Sequence, residues 1–283
     1  MKYLGEIFRR YRWSLILIYF LIVICEVTYL FLLQILGLAI DGLLVGNYFY
    51  LGILFGLTFF GHLLHYRRMV YDTKVYMRIY NDIVYSYLDK CELDVSSKVA
   101  RTEMAGNVVN FFENDVGYYI SRFVHIVGSL YFIFYIKFDV GIVVLFCIIP
   151  ILIIVYKFYF KIGQVTSVIH NHMEFKVRII ESGNILGIRG FFERRKGLLE
   201  MSSLLQAKHW FALNMVRLVF LVVAIVVFAH SNYILTQGQT ISMYMYINEF
   251  LCSLMVIPVA VETFIRIRDV IKRISHEHIG NLN

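Results

Sequence analysis

Two carboxylates stand inside stretches otherwise made of apolar residues: Glu26 in Leu21–Leu33 and Glu249 in Ile241–Leu254. An ionisable group in hydrocarbon is costly and by default marks a substrate, ion or proton path. By helix rise, Glu26 lies about 20 Å from the start of the span 13–40 and Glu249 about 12 Å from the start of the span 241–265. If the first stretch enters from inside and the last from outside, both fall slightly to the outer side of the middle of a core roughly 30 Å thick. There the pair can bind a cationic substrate or carry a proton. The competing reading is a structural hydrogen bond to a neighbouring helix, of the kind Gln34 or Asn248 offers. His125, also in an apolar stretch, reads as a neutral histidine hydrogen-bonded between helices, and Asp41 and Glu262 as charges near the interfaces. His62 and His65 share a helix face but lack a third ligand, so no metal site is expected. His170 and His172, and His276 and His278, are two residues apart, diverge on a helix and read as solvated. No nucleophile–base constellation appears, so an enzyme is not expected.

The elements that must position these groups are membrane helices. The 283 residues are 59% hydrophobic and 17% charged, with a mean hydropathy of +0.69, a composition of integral membrane proteins. Six stretches approach the roughly 20 apolar residues of a helical span: 13–40, 48–64, 118–136, 140–156, 218–235 and 241–265. The first is too long, and lacks the cleavage site, for a removable signal peptide. The expected fold class is all-α, a polytopic protein of six helices in three hairpins.

Of the 27 Lys and Arg, 24 lie before Trp13, in 67–101, in 157–208 or after Ile265. The positive-inside rule then puts both termini and both long connecting segments in the cytoplasm. The net charge of +7 suits contact with anionic lipid and calls for no nucleic acid. Cys25, Cys147 and Cys252 lie in spans and Cys91 in a connecting segment, which is no disulfide framework.

Each long connecting segment lacks proline and reads as helix out, turn and helix back, with turns near 94–105 and 182–190. Tyr71, Val75, Ile79, Ile83 and Tyr87 recur every four residues and share one face. The only prolines, Pro150 and Pro258, are expected to kink their spans, and Pro258 is a candidate hinge. Tyr244 and Tyr246 line a cavity or pack in the core.

Arg78, then Gly106 followed nine residues later by Asp115-Val116, form one set of marks. Glu181, Gly187-Ile188, Phe191 and Glu193 form a second, and Gly238, Pro258 and Arg273-Ile274 a third. In this order, on six spans with two long loops, the chain resembles the transmembrane domain of ABC exporters over nearly its whole length. The resemblance implies a domain of residues 1–274 with a short tail, 275–283. It implies a dimer whose fourth and fifth spans cross to the partner, with first and last spans lining a central cavity. It also implies two short coupling helices docking on ATPase domains: one near Val95, Ala100 and Met104, the other at Ile185, Gly187, Ile188 and Phe191. The family's second glycine at the start of the last span is absent; Ser242-Met243 stand there.

No Gly-x-x-x-x-Gly-Lys-Ser/Thr run occurs, so these residues cannot cradle nucleotide phosphates by that chemistry. With Met1 at its start, the chain reads as a stand-alone protein. The first functional expectation is therefore the membrane subunit of an exporter-like transporter working by alternating access. ATP-Mg would act only through a separate nucleotide-binding subunit, with no cofactor in this chain. The second is a proton-driven carrier similar to the SbmA/BacA-like peptide importers, with Glu26 and Glu249 carrying the proton. The third is a non-transporting receptor, regulator or immunity protein. A bacterial inner membrane suits all three.

Overall fold

A computed structural model describes residues 9–90, 102, 106, 109–230, 236–261 and 263. Among the described residues its regular structure is helix with no strand, and six helices are long and apolar enough to cross a membrane. The fold class expected from sequence is therefore the one observed. The first span is Arg12–Leu44, and a tight turn at Val45–Tyr48 leads to the second helix, Phe49–Lys90. Gly46 makes that turn with φ +75, a left-handed conformation that glycine adopts at no steric cost. Asn47 Oδ1 accepts from the Phe49 amide at 2.9 Å and starts the next helix.

The chain divides into two compact units, residues 1–141 with 228–283, and residues 142–227. The first unit holds spans one, two, three and six. The first span buries Leu15, Ile18, Ile22, Leu30, Leu33 and Gly37 at helical spacing, one continuous face. Its lower part packs on Val75, Tyr76, Ile79 and Ile83 of the second helix and on Val109, so Tyr71, Val75, Ile79 and Ile83 of the four-residue stripe face the core, while the Tyr87 side chain lies outside the described residues. The upper part of the second helix instead exposes Phe55, Phe59 and Phe60, apolar surface that acyl chains cover in a membrane. The third span, Gly117–Ile136, is entered through a π-helical turn, Phe111–Val116. The Tyr76 hydroxyl donates to the Phe112 carbonyl in that turn at 3.0 Å. Tyr76→Phe is expected to cost about 1 kcal/mol, the worth of one buried hydrogen bond, read as a fall in thermal stability in detergent.

The sixth span, Gln237–Leu254, buries Ser242, Met243, Tyr246, Ile247, Phe250 and Leu251 along one face. It begins with a capping box, Thr236 with Gln239. Asp41 of the first span completes the cap, accepting from Gly238 N at 2.8 Å and Thr236 Oγ1 at 2.6 Å. Beside it Gly37 and Gly238 bring two backbones together: a methyl group on Gly37 would meet the Gly238 carbonyl oxygen at 2.6 Å. Small residues permit this approach. Ser242 Oγ donates to the Leu33 carbonyl at 2.9 Å and Tyr246 Oη to the Leu30 carbonyl at 2.8 Å. Tyr246 is core, stacked on Phe132, while Tyr244 is exposed.

The second unit holds the fourth and fifth spans. Helices Phe138–Phe146 and Ile148–Glu174 form the fourth and its continuation, Lys176–Glu181 is a short helix, and Ile185–Ala229 runs 45 residues through the fifth. Val144, Cys147, Ile151, Val155, Ile162 and Val165 are buried along one face, in steps of three, four or seven residues. His209 stacks on Phe158, ring centroids 3.8 Å apart.

Both prolines interrupt their helices in the same way. Pro150 has no N–H for the Phe146 carbonyl and Pro258 none for that of Leu254. Each carbonyl ends a helix, and the next residue, Cys147 or Met255, makes a tighter bond three residues back.

Candidate functional site

Glu26, Arg122, His125 and Glu249 form one ion network across spans one, three and six. His125 is the centre. Its Nδ1 lies 2.6 Å from Glu249 Oε1 and its Nε2 2.8 Å from Glu26 Oε2. Arg122, one turn earlier on the same face, donates Nη1 to Glu249 Oε1 at 3.2 Å. Ser253, one turn beyond Glu249, donates to the same oxygen at 3.4 Å. Tyr29, one turn beyond Glu26, lays its ring on the imidazole with centroids 5.2 Å apart. The Arg122 guanidinium sits 5.2 Å over the Tyr118 ring, a favourable cation–π contact. Ser129 Oγ donates to the His125 carbonyl. The His125 side chain is only 6% exposed and the carboxylates 20% and 15%. Chemically, the arrangement joins three helices through two carboxylates, one guanidinium and an imidazole with both nitrogens engaged.

The two carboxylates picked out from sequence do lie at one level, as their depths require. Their partner is neither Gln34 nor Asn248. The Gln34 Oε1 atom is buried without a partner, and Asn248 Oδ1 faces the Cys252 thiol at 3.7 Å. His125 is hydrogen-bonded between helices as expected, but to the two candidate carboxylates. From sequence Arg122 is only a charge near the end of the 118–136 stretch; its spacing of three from His125 is the signal that places both on one face.

The second connecting turn departs from the sequence expectation. Of Gly183, Gly187 and Gly190, only Gly183 turns the chain, with φ +63. Gly187 and Gly190 lie within the helix Ile185–Ala229, so no separate short helix spans Asn184–Phe191. Asn184 Oδ1 caps that helix, accepting from Leu186 N at 3.1 Å and Gly187 N at 3.3 Å. Ile185 and Leu186 are 79% and 80% exposed, and Ile188 is half-buried. Phe191 is buried under His172, whose Nε2 lies 3.0 Å from the Phe191 carbonyl. Val95, Ala100, Met104, Glu262, His276 and His278 lie outside the described residues. His62 and His65 are exposed, and no group of three metal-type ligands occurs among the described residues.

Six described helices long and apolar enough to cross a membrane define an integral membrane protein. A family model described as the ABC transporter transmembrane region matches residues 4–238, and the chain belongs to that family. Glu26, Arg122 and His125 fall within the matched residues; Glu249 and Pro258 lie beyond them. No curated protein matches the chain.

Proposed function

We propose that this chain is the membrane-spanning subunit of an exporter-like ABC transporter that moves substrate by alternating access. Residues 1–274 are the transport domain and 275–283 a tail. The chain is not an enzyme: ATP-Mg is bound and hydrolysed by a separate nucleotide-binding subunit. The observation that carries the reading is the family match over five spans and the start of the sixth. The division of the chain at residues 142–227 supports a homodimer, or a pair with a related half-transporter, in which the fourth and fifth spans cross over. The Lys and Arg distribution supports cytoplasmic termini, in a bacterial inner membrane. Glu26 and Glu249 are the groups that meet a cationic substrate or a proton, and the break before Pro258 is the hinge.

In this reading the ATPase docks on the turn before Ile185, with the segment around Val95, Ala100 and Met104, which lies outside the described residues, as the second contact. Exposed Ile185 and Leu186 at a capped helix start suit such a contact, while Gly187, Ile188 and Phe191 support it from behind. Leu186→Asp is the sharper test than a change at half-buried Ile188, because it disturbs no packing. It is expected to leave the thermal stability of the chain unchanged and to lower recovery of the ATPase subunit about 10-fold, the effect of losing one modest interface anchor. Undiminished recovery overturns the docking role.

A further inference from the structure

We propose that the His125 network is a single-proton latch: it holds spans one, three and six together only while it keeps one shared proton, and it releases that proton when the first and last spans part.

The inference comes from counting hydrogens. Two nitrogen–oxygen distances of 2.6 and 2.8 Å each require a hydrogen between the atoms. A neutral imidazole has one N–H. The second hydrogen is supplied by an imidazolium ring, or by a carboxylic acid facing a neutral ring. Both forms hold one proton more than a neutral histidine between two carboxylates. With it, the four groups sum to zero charge: Arg122 and the shared proton against Glu26 and Glu249. Without it, a lone pair faces a carboxylate at hydrogen-bond distance and an uncompensated charge remains in the membrane, which is disfavoured.

The surrounding groups do not replace that proton. On the first span Tyr29 stacks on the ring, and on the third Arg122 is committed to Glu249. Ser121 and Ser253 bond to the carboxylates as neutral donors. On the second helix Arg68 and His65 act on Glu26 electrostatically, but Arg68 is balanced by Asp72 at 3.6 Å. The latch does not depend on the energy source and holds whether or not an ATPase drives the parting.

An imidazole in water loses its proton above pH about 6.5. Parting the spans therefore releases one proton above that pH and none well below it. Linkage then sets the slope: the parted population relative to the closed one is flat well below pH 6.5, rises about 10-fold per pH unit above it, and flattens again once the closed network itself loses the proton. The test is spin-label distance measurement on the full chain in lipid nanodiscs. Labels at Phe31 and Tyr244, both exposed, sit on the first and last spans of a chain cleared of its cysteines and diluted with unlabelled chain. The expected slope is one in the parent and zero in His125→Gln. Nitrogen-15 spectra of the parent's His125 ring report the same proton loss without any variant. A distance that ignores pH in the parent, or an unchanged slope in His125→Gln, overturns the latch.

Discussion

His125→Leu is expected to destabilise the folded chain by about 3–5 kcal/mol, the usual consequence of removing one partner from a buried ionic cluster. The substitution leaves Glu26 and Glu249 facing each other with Arg122 as the only remaining cation. The partial burial of the three side chains limits how far solvent screens the imbalance. In His125→Leu/Glu26→Leu the remaining Glu249–Arg122 pair is neutral again. The double variant is therefore more stable than the single one by about 2 kcal/mol or more, a coupling expected of residues in one network. Thermal unfolding in detergent decides it. Additive losses would mean that His125 acts by packing alone.

Gly238→Val is expected to cost about 3 kcal/mol, the upper part of the range for overpacking a tight contact. A Cβ at Gly238 collides with the Gly37 carbonyl group, which is backbone and cannot turn aside. The first and last spans must then separate at the ends where Asp41 caps the sixth helix. Gly56→Val is the control: a Cβ there meets nothing within 4 Å, and the change is expected to stay within about 0.5 kcal/mol, as surface substitutions do. Equal effects at both sites, measured by thermal unfolding, would remove the close approach from the account.

Much of this was legible in the chain because membranes leave few options. Hydrocarbon demands fully bonded backbone, so length and hydropathy identify helices directly. The stripe through Val75, Ile79 and Ile83 is buried because a helix repeats every 3.6 residues and a four-residue step stays on one face. Glu26 and Glu249 stood out because charge is rare in such surroundings. What lay beyond sequence was rotation and pairing. Whether His125 meets Gln34, a backbone carbonyl or a carboxylate depends on how the third span turns about its axis, which tertiary packing sets. The glycines of the second turn show the same limit: Gly183, Gly187 and Gly190 are alike in composition, and only the fold shows that Gly183 alone needs a left-handed backbone. The contact of Gly37 with Gly238 joins residues 201 apart in the chain, and no local pattern announces it. The match of the last span's glycine to the family pattern acquires its physical reason only once Gly37 is seen against it.

The central claim, that this chain is the membrane half of an ATP-driven transporter, is tested most directly by its company in the native membrane. The measurement is affinity isolation of the full chain in mild detergent, with quantitative mass spectrometry of the proteins recovered. The account predicts a stoichiometric subunit carrying a P-loop and the ABC signature, lost when Leu186 is replaced by aspartate. A homodimer recovered without any such subunit would contradict it, and would favour a carrier driven through Glu26 and Glu249 by protons alone.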